Sequence, residues 1–314
     1  MGLPVTVYRS TDVGAPSVPT KPSEWINVIK KCLVDGYGTK APLGWALDYE
    51  DALNFKAVFR NSVSDGGSGG AVQIQSHSGI DSAGQLVRIT CANSITGIDS
   101  FFKKVGYRVM VTNSSLSTVK GWIIVGTSRG FWLVQESGQT LNNSSNNGLF
   151  VYHEYYFIGD IESFVPNDAS TFTLLTTQDP IVDSSSTTYQ QNIGSDATVC
   201  TCALYDNDGG SGITAYSTDW SGKNDWAYQV ASYDPIELGV PINLTKISIY
   251  HKNFANVISP AFRGMVPGYY GTNFIGFGGK PLPIIRTFEG NDYLLVTGMK
   301  AGSSFIQITG EWYV

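Results

Sequence analysis

The chain has 314 residues, of which 42% are hydrophobic and 15% charged, with a formal net charge of -6 at pH 7. That is long enough for one large β domain or two ordinary ones, apolar enough to bury a core, and too acidic for a broad DNA- or RNA-binding face. Average globular chains carry roughly 25% charged residues; this one depends on Ser, Thr, Asn and 35 Gly for solubility, a balance suited to turns and half-exposed strands.

No run approaches the roughly 20 apolar residues that span a bilayer, so no membrane partner is expected. The opening "MGLPVTVYRS" has no charged start followed by an apolar block, and no secretory signal is expected from it. Gly2 raises a lipidation reading, set against the strand-like segment around Thr6. The four cysteines Cys32, Cys91, Cys200 and Cys202 are too few for a disulfide scaffold in a chain of this length, which points to folding in a reducing cytoplasm. In that setting the sequons at Asn113 and Asn243 carry no weight.

One helix is expected, over residues 23–35 in "KPSEWINVIKKCLVDG". Ser23 is placed as its cap, Glu24 in its first turn, and Gly36 at its end in the left-handed region. Trp25, Val28, Ile29, Cys32 and Leu33 recur at helical spacing and define the face that packs over a sheet. Most of the remaining chain reads as short strands between turn residues: 56–60, 71–76, 85–92, 107–112, 120–127, 130–136, 148–161, 171–177, 197–205, 245–252, 292–298 and 304–312. Residues 132–157 read as a long hairpin with an Asn/Ser-rich tip, and residues 207–225 as a long loop. The expected fold is mainly β, an antiparallel sandwich or barrel with one N-terminal helix and a possible second small β domain. Its expected divisions are an N-terminal β domain over 1–177, a polar connection over 178–225 and a C-terminal β region over 226–314.

Catalytic patterns are missing from the sequence. His77, His153 and His251 stand in unrelated contexts, with no metal-ligand spacing. Cys200 and Cys202 share a strand face but have no second ligand pair, so two packed thiols are the better reading than zinc. Asp206 and Asp208 in "YDNDGGSG" imitate the start of a calcium loop without its later acidic positions. "GGSGG" (66–70) and "GFGGK" (276–280) lack phosphate-loop spacing and read as turns or close backbone approaches. Asp48 with Glu50, and Asp160 with Glu162, are the acid pairs a glycosidase would need, though any β protein offers such pairs. No serine elbow stands out. Neither an enzyme nor a cofactor is expected.

Two early stretches are distinctive together: "TVYRSTDVGAP" (6–16), then, after the helix, "CLVDGYGTKAPLGW" (32–45) leading into "NFKAVFR" (54–60). Later come "YYFIGDIESFVPNDA" (155–169) and "RGMVPGYYG" (263–271). These stretches resemble a family of structural proteins encoded by tailed bacteriophages. That family shows a similar Tyr-x-Ser-Thr-Asp-x-x-Ala-Pro start, a Cys-Leu-Val-x-Gly-Tyr-Gly segment ending in Gly-Trp, and an Arg-Gly-x-x-Pro-Gly segment. The matching positions are Tyr8, Ser10, Thr11, Asp12, Gly36, Tyr37, Gly38, Trp45, Arg263, Gly264, Pro267 and Gly268. The acidic insertion "ALDYEDAL" (46–53) and residues 178–225 have no counterpart in that pattern.

The resemblance implies a virion component, made in the host cytoplasm, that meets other capsid or tail subunits in many copies or a symmetric ring. Capsid decoration and a tail or baseplate accessory role both remain open. The motif residues read as joints: Gly36 and Gly38 permit positive φ around Tyr37, and Pro42 stiffens the approach to Trp45. Tyr37 and Trp45 are expected to pack over the helix that carries Trp25, with a subunit contact as the alternative. A second functional reading, a tail module binding a cell-surface glycan, rests on Trp220, Trp226 and Tyr228 in or beside a loop.

Overall fold

Runs such as "GWIIVG" and "GFWLVQE", apolar at successive positions, demand burial on both faces of a strand, and the architecture supplies it. The computed structural model describes residues 2–110, 112, 119–136, 154–176, 201–218, 242–251, 260–272, 283–297 and 303–314. Among them the fold is mainly β, with antiparallel sheets in a sandwich-like arrangement and one helix. Sheet I runs in chain order through Ala46–Asp51, Lys56–Arg60, Ala71–Ser76, Val87–Gly97 and Ser100–Met110. Sheet II has the order Phe172–Leu175, Glu154–Asp160, Gly130–Glu136, Gly121–Gly126, Thr6–Arg9. Sheet III has the order Thr201–Tyr205, Ile213–Thr218, Leu244–His251, Phe262–Thr272, Ser303–Gln307, Asn291–Thr297, Ile285–Phe288, with Glu162–Ser163 paired to Phe262–Thr272. Leu3–Pro4 pairs with Glu311–Trp312 and brings the two ends of the described chain together.

Sheet II is the middle layer. Trp122, Ile124, Phe131, Leu133, Tyr156 and Ile158 enter a core shared with sheet I and the helix. The alternate residues Ile123, Val125, Trp132, Val134, Tyr155 and Phe157 enter a second core with Tyr216, Ile249, Val266 and Ile306 of sheet III. Trp132 anchors this second core, with ring centroids 4.8 Å from Tyr269 and 5.3 Å from Phe157. The N-terminal and C-terminal halves therefore share one sheet as a wall. The expected division at 177/178 falls outside the described residues.

The helix spans Pro22–Lys30 and continues as a π turn over Lys31–Asp35, its apolar face (Trp25, Val28, Ile29, Cys32, Leu33) buried in the first core. Two expectations at its ends are corrected. Ser23 is not the cap: Lys21 occupies that position, and Ser23 donates its N–H and Oγ–H to Asp81 at 2.8 and 2.7 Å. Thr20, just before the helix, instead donates its N–H to Glu24 at 2.7 Å. Gly36 has the expected positive φ, 76°, but its ψ of 173° places it outside the left-handed helical region, its N–H closing the π turn on Lys31 O at 2.8 Å.

The acidic stretch after Trp45 is an edge strand, Ala46–Asp51, and residues 213–218 of the expected long loop form a sheet III strand. Glu154–Asp160 and Gly130–Glu136 pair antiparallel as the expected hairpin requires, while residues 137–153 lie outside the described set. Replacing Trp132 by Ala should cost about 3–5 kcal/mol, the usual penalty for emptying a tryptophan site in a core. Leu53→Ala, at a side chain 89% exposed, should stay within about 0.5 kcal/mol. Urea unfolding of both variants checks the contrast.

Candidate functional site

The opening stretch and the segment after the helix, distant in sequence, dock on each other. Arg9–Asp12 forms a turn in which the Asp12 N–H donates to Arg9 O, and Thr11 stands exposed at its tip. Asp12 Oδ2 accepts from the Arg9 N–H at 2.8 Å and from Tyr37 Oη at 2.9 Å, and pairs with Lys40 Nζ at 2.9 Å. Lys40 also donates to Val7 O, and Tyr8 Oη donates to Ala41 O at 2.6 Å. Ser10 extends the sheet II ladder, exchanging backbone and side-chain bonds with Trp122. Burial works to raise the Asp12 carboxyl, but the Lys40, Arg9 and Tyr37 hydrogen bonds prevail and hold it below its usual range.

A tight turn from Tyr37 to Lys40 makes this docking possible. Tyr37 and Lys40 exchange both backbone bonds, at 3.1 and 2.8 Å. Gly38 has φ 54°, and a Cβ there would lie 2.4 Å from Val13 O, so the two backbones meet only because that position is bare. Leu43 and Trp45 donate their N–H groups to Cys32 O and Leu33 O, tying the segment back onto the helix end. Trp45 Nε1 donates to Thr127 O at 3.1 Å, and its ring meets Phe131 edge-on at 5.3 Å. Tyr37 and Trp45 lie in the same core as Trp25, with Tyr37 edge-on to Trp122.

A second joint unites the two later motifs. Arg263 is fully buried and forms a fork on Asp168, Nε to Oδ2 and Nη2 to Oδ1, both at 2.7 Å. Its Nη2 also donates to Tyr205 O at 2.9 Å, and Asp168 accepts from Ser163 Oγ and the Ser170 N–H. Burial opposes the Arg263 charge, and the Asp168 fork outweighs it, moving its pKa up. Gly264 lies against Glu162, whose carbonyl oxygen would sit 2.3 Å from an added Cβ. Gly268, at φ 64°, lies under the Trp312 ring, and Trp132 Nε1 donates to Pro267 O at 3.1 Å.

Between the joints stands Asp160, fully buried, which accepts from Asn61 Nδ2, the Ser68 N–H and Oγ–H, and Thr171 Oγ1. The "GGSGG" turn thus wraps a carboxylate of sheet II. Burial pushes that carboxyl up, against those hydrogen bonds and the Arg129 charge. Its expected partner Glu162 is occupied by the Tyr313 N–H and Lys246, Asp48 by a fork from Arg60, and Glu50 by Lys30.

Asp206 and Asp208 accept from the Gly212 and Gly210 N–H groups of their own turn. Cys202 is buried in the second core, and Cys200 lies outside the described residues. Trp220, Trp226, Tyr228, His153 and residues 276–280 also lie outside them. Among the described residues no group of three or more His, Cys, Asp or Glu could hold a metal ion.

Asp168 and Lys40, which complete the two joints, are absent from the motif positions singled out by sequence. Their signal was a charge inside a distinctive segment of a sparsely charged chain, and only the partner across the fold makes it readable. The chain matches no known family model, and no curated protein matches it.

Asp168→Ala should cost about 3–5 kcal/mol by leaving Arg263 charged and unpaired in the interior. The double change Arg263→Met with Asp168→Leu should recover much of that loss, since both charges leave together; denaturant unfolding separates the two. Asp12→Asn should cost about 1–2 kcal/mol at neutral pH. Because the folded-state Asp12 carboxyl lies below its unfolded value, its contribution is present above the ordinary carboxylate range and disappears as pH falls through the folded value. The gap between the parent and Asp12→Asn should therefore narrow on acidification, measured as melting temperature against pH.

Proposed function

We propose that this protein is a non-enzymatic structural subunit of a tailed-bacteriophage virion, acting by assembly as a capsid decoration or as a tail or baseplate accessory. One observation carries the reading: the segments that resemble the phage structural family are those that form the two joints of the fold. Residues kept for such joints serve rigidity, the property a subunit needs if neighbours are to meet it at fixed geometry. The candidate acid pairs support the same reading, since their carboxylates are committed to internal or surface partners.

Contacts with neighbours would fall on the exposed apolar tips. Val13 is 92% exposed on the opening turn, Phe102 projects from the hairpin that closes sheet I, and Phe164 and Phe262 lie near each other, where the Phe164 N–H bonds to Arg263 O. Single exposed apolar residues are ordinary on a monomer surface, so the weight falls on Val13, Phe164 and Phe262, which adjoin the joints in the chain. Mass spectrometry and cryo-electron microscopy of purified phage particles test the proposal. Regular copies of this chain on the capsid lattice or the tail are expected, and its absence from purified particles would overturn the assignment.

A further inference from the structure

The outer face of sheet I carries a strip of polar side chains, and three buried atoms on it meet no hydrogen-bond partner among the described residues. Gln73 faces Thr90 across one strand pair, and Thr90 faces Tyr107 across the next; one step along, Gln75, Arg88 and Val109 are aligned in the same way. Part of this face is covered by the hairpin Val87–Met110 curling back on its own sheet. Asp99 at its tip pairs with Lys56 and exchanges hydrogen bonds with Gln73, above a small core of Val58, Ala71, Ala92 and Ile95.

Beside this cover, the Arg88 guanidinium lies on the Tyr107 ring, 3.9 Å from its centroid. Stacking satisfies the flat of a guanidinium and none of its five N–H donors. Arg88 Nε is shut off from solvent and has no hydrogen-bond partner among the described residues. Two further atoms share that condition nearby: Thr90 Oγ1, on a residue only 1% exposed, and His77 Nδ1. His77 follows directly on the Ser76–Val87 pair and feels the Arg88 charge. Unmade hydrogen bonds of this kind are costly, typically about 1–3 kcal/mol each.

Charges of both signs meet on this face. Arg88 and Lys104 both approach the Tyr107 ring, and Lys56 stands on the same face. Two carboxylates face them: Asp51, opposite Lys56 across the strand pair, and Asp99, whose Oδ2 meets Lys56, whose Oδ1 accepts from Gln73 and which also feels the Arg88 charge. Gln75 lies beside Arg88 across the strand pair, and its Oε1 accepts from Gln73.

We propose that this strip is an oxyanion-binding site, taking a carboxylate or phosphate group in the fork of Arg88 with Thr90, His77 and Gln75 as neighbouring hydrogen-bond partners. Arg88 supplies charge and planar bidentate geometry, which match both groups. Tyr107 holds the guanidinium ready, so little side-chain entropy is lost on binding. The site does not depend on the virion reading and stands or falls separately.

The test uses the full chain, titrated with sodium phosphate and with sodium galacturonate against sodium chloride at matched ionic strength. Binding is followed by calorimetry and by the ring-nitrogen NMR signals of His77, one of three histidines in the chain. Saturable binding of at least one probe is expected, with a His77 shift that chloride does not produce; which probe binds separates a phosphate ligand from an acidic sugar. Arg88→Gln should weaken that binding at least about tenfold, and Arg88→Lys, which keeps the charge and loses the fork, should weaken it less. Thr90→Val serves as a second variant should Arg88→Gln lower the melting temperature, and it too should weaken binding. Failure of both probes to exceed chloride, or unchanged binding in Arg88→Gln or in Thr90→Val, would overturn the proposal.

Discussion

Burial of sheet II on both faces is the constraint on which the rest of this molecule depends. Strands of alternating character need one apolar cover, whereas continuous apolar strands need two. In "GWIIVG" and "GFWLVQE" the even and odd positions point into different cores, so removing either cover would expose half of every central strand. The helix and sheet I supply one cover, and sheet III, built largely from the C-terminal third of the chain, supplies the other. Apolar burial contributes roughly 25 cal/mol per Å², so a wall buried twice holds the two ends of the chain in one cooperative unit.

Stacked sheets slide unless something directional fixes them, and here polar joints do that. Arg263 with Asp168 locks the Glu162–Ser170 segment to sheet III, and Asp12 with Lys40 and Tyr37 locks the first strand of sheet II to the segment after the helix. Asp160 gathers donors from sheet I and its own sheet, and its carbonyl accepts from Tyr313 Oη at 2.6 Å. Buried charges gain little net stability over well-packed apolar groups, but they penalise any arrangement that leaves one of them unpaired. In a chain with so few charges, placing them inside the fold favours geometry over solubility. That choice is consistent with the proposed role of presenting a fixed surface to neighbours.

The outer face of sheet I follows a different logic. There Arg88, Thr90 and His77 hold donors and acceptors that no described residue meets. The polar joints hold the molecule together, and the proposed oxyanion site on this strip is a separate part that would meet a ligand.

Sequence alone determined the β class, the single helix with its buried face, and most strands; Lys56–Arg60, Ala71–Ser76 and Gly130–Glu136 match residue for residue. These features are local, because strand and helix periodicities are written in neighbouring residues. Ala46–Asp51 escaped that reading because an edge strand carries charge to discourage further pairing and so looks like a loop. Ser23 looked like a cap until Asp81, 58 residues away, claimed it. Which motifs meet, which carboxylates are consumed, and that one sheet serves two cores were decided only by the tertiary structure. Those facts are pairings between distant segments, and the single charged residue at each end carries no mark of its partner until the chain has folded.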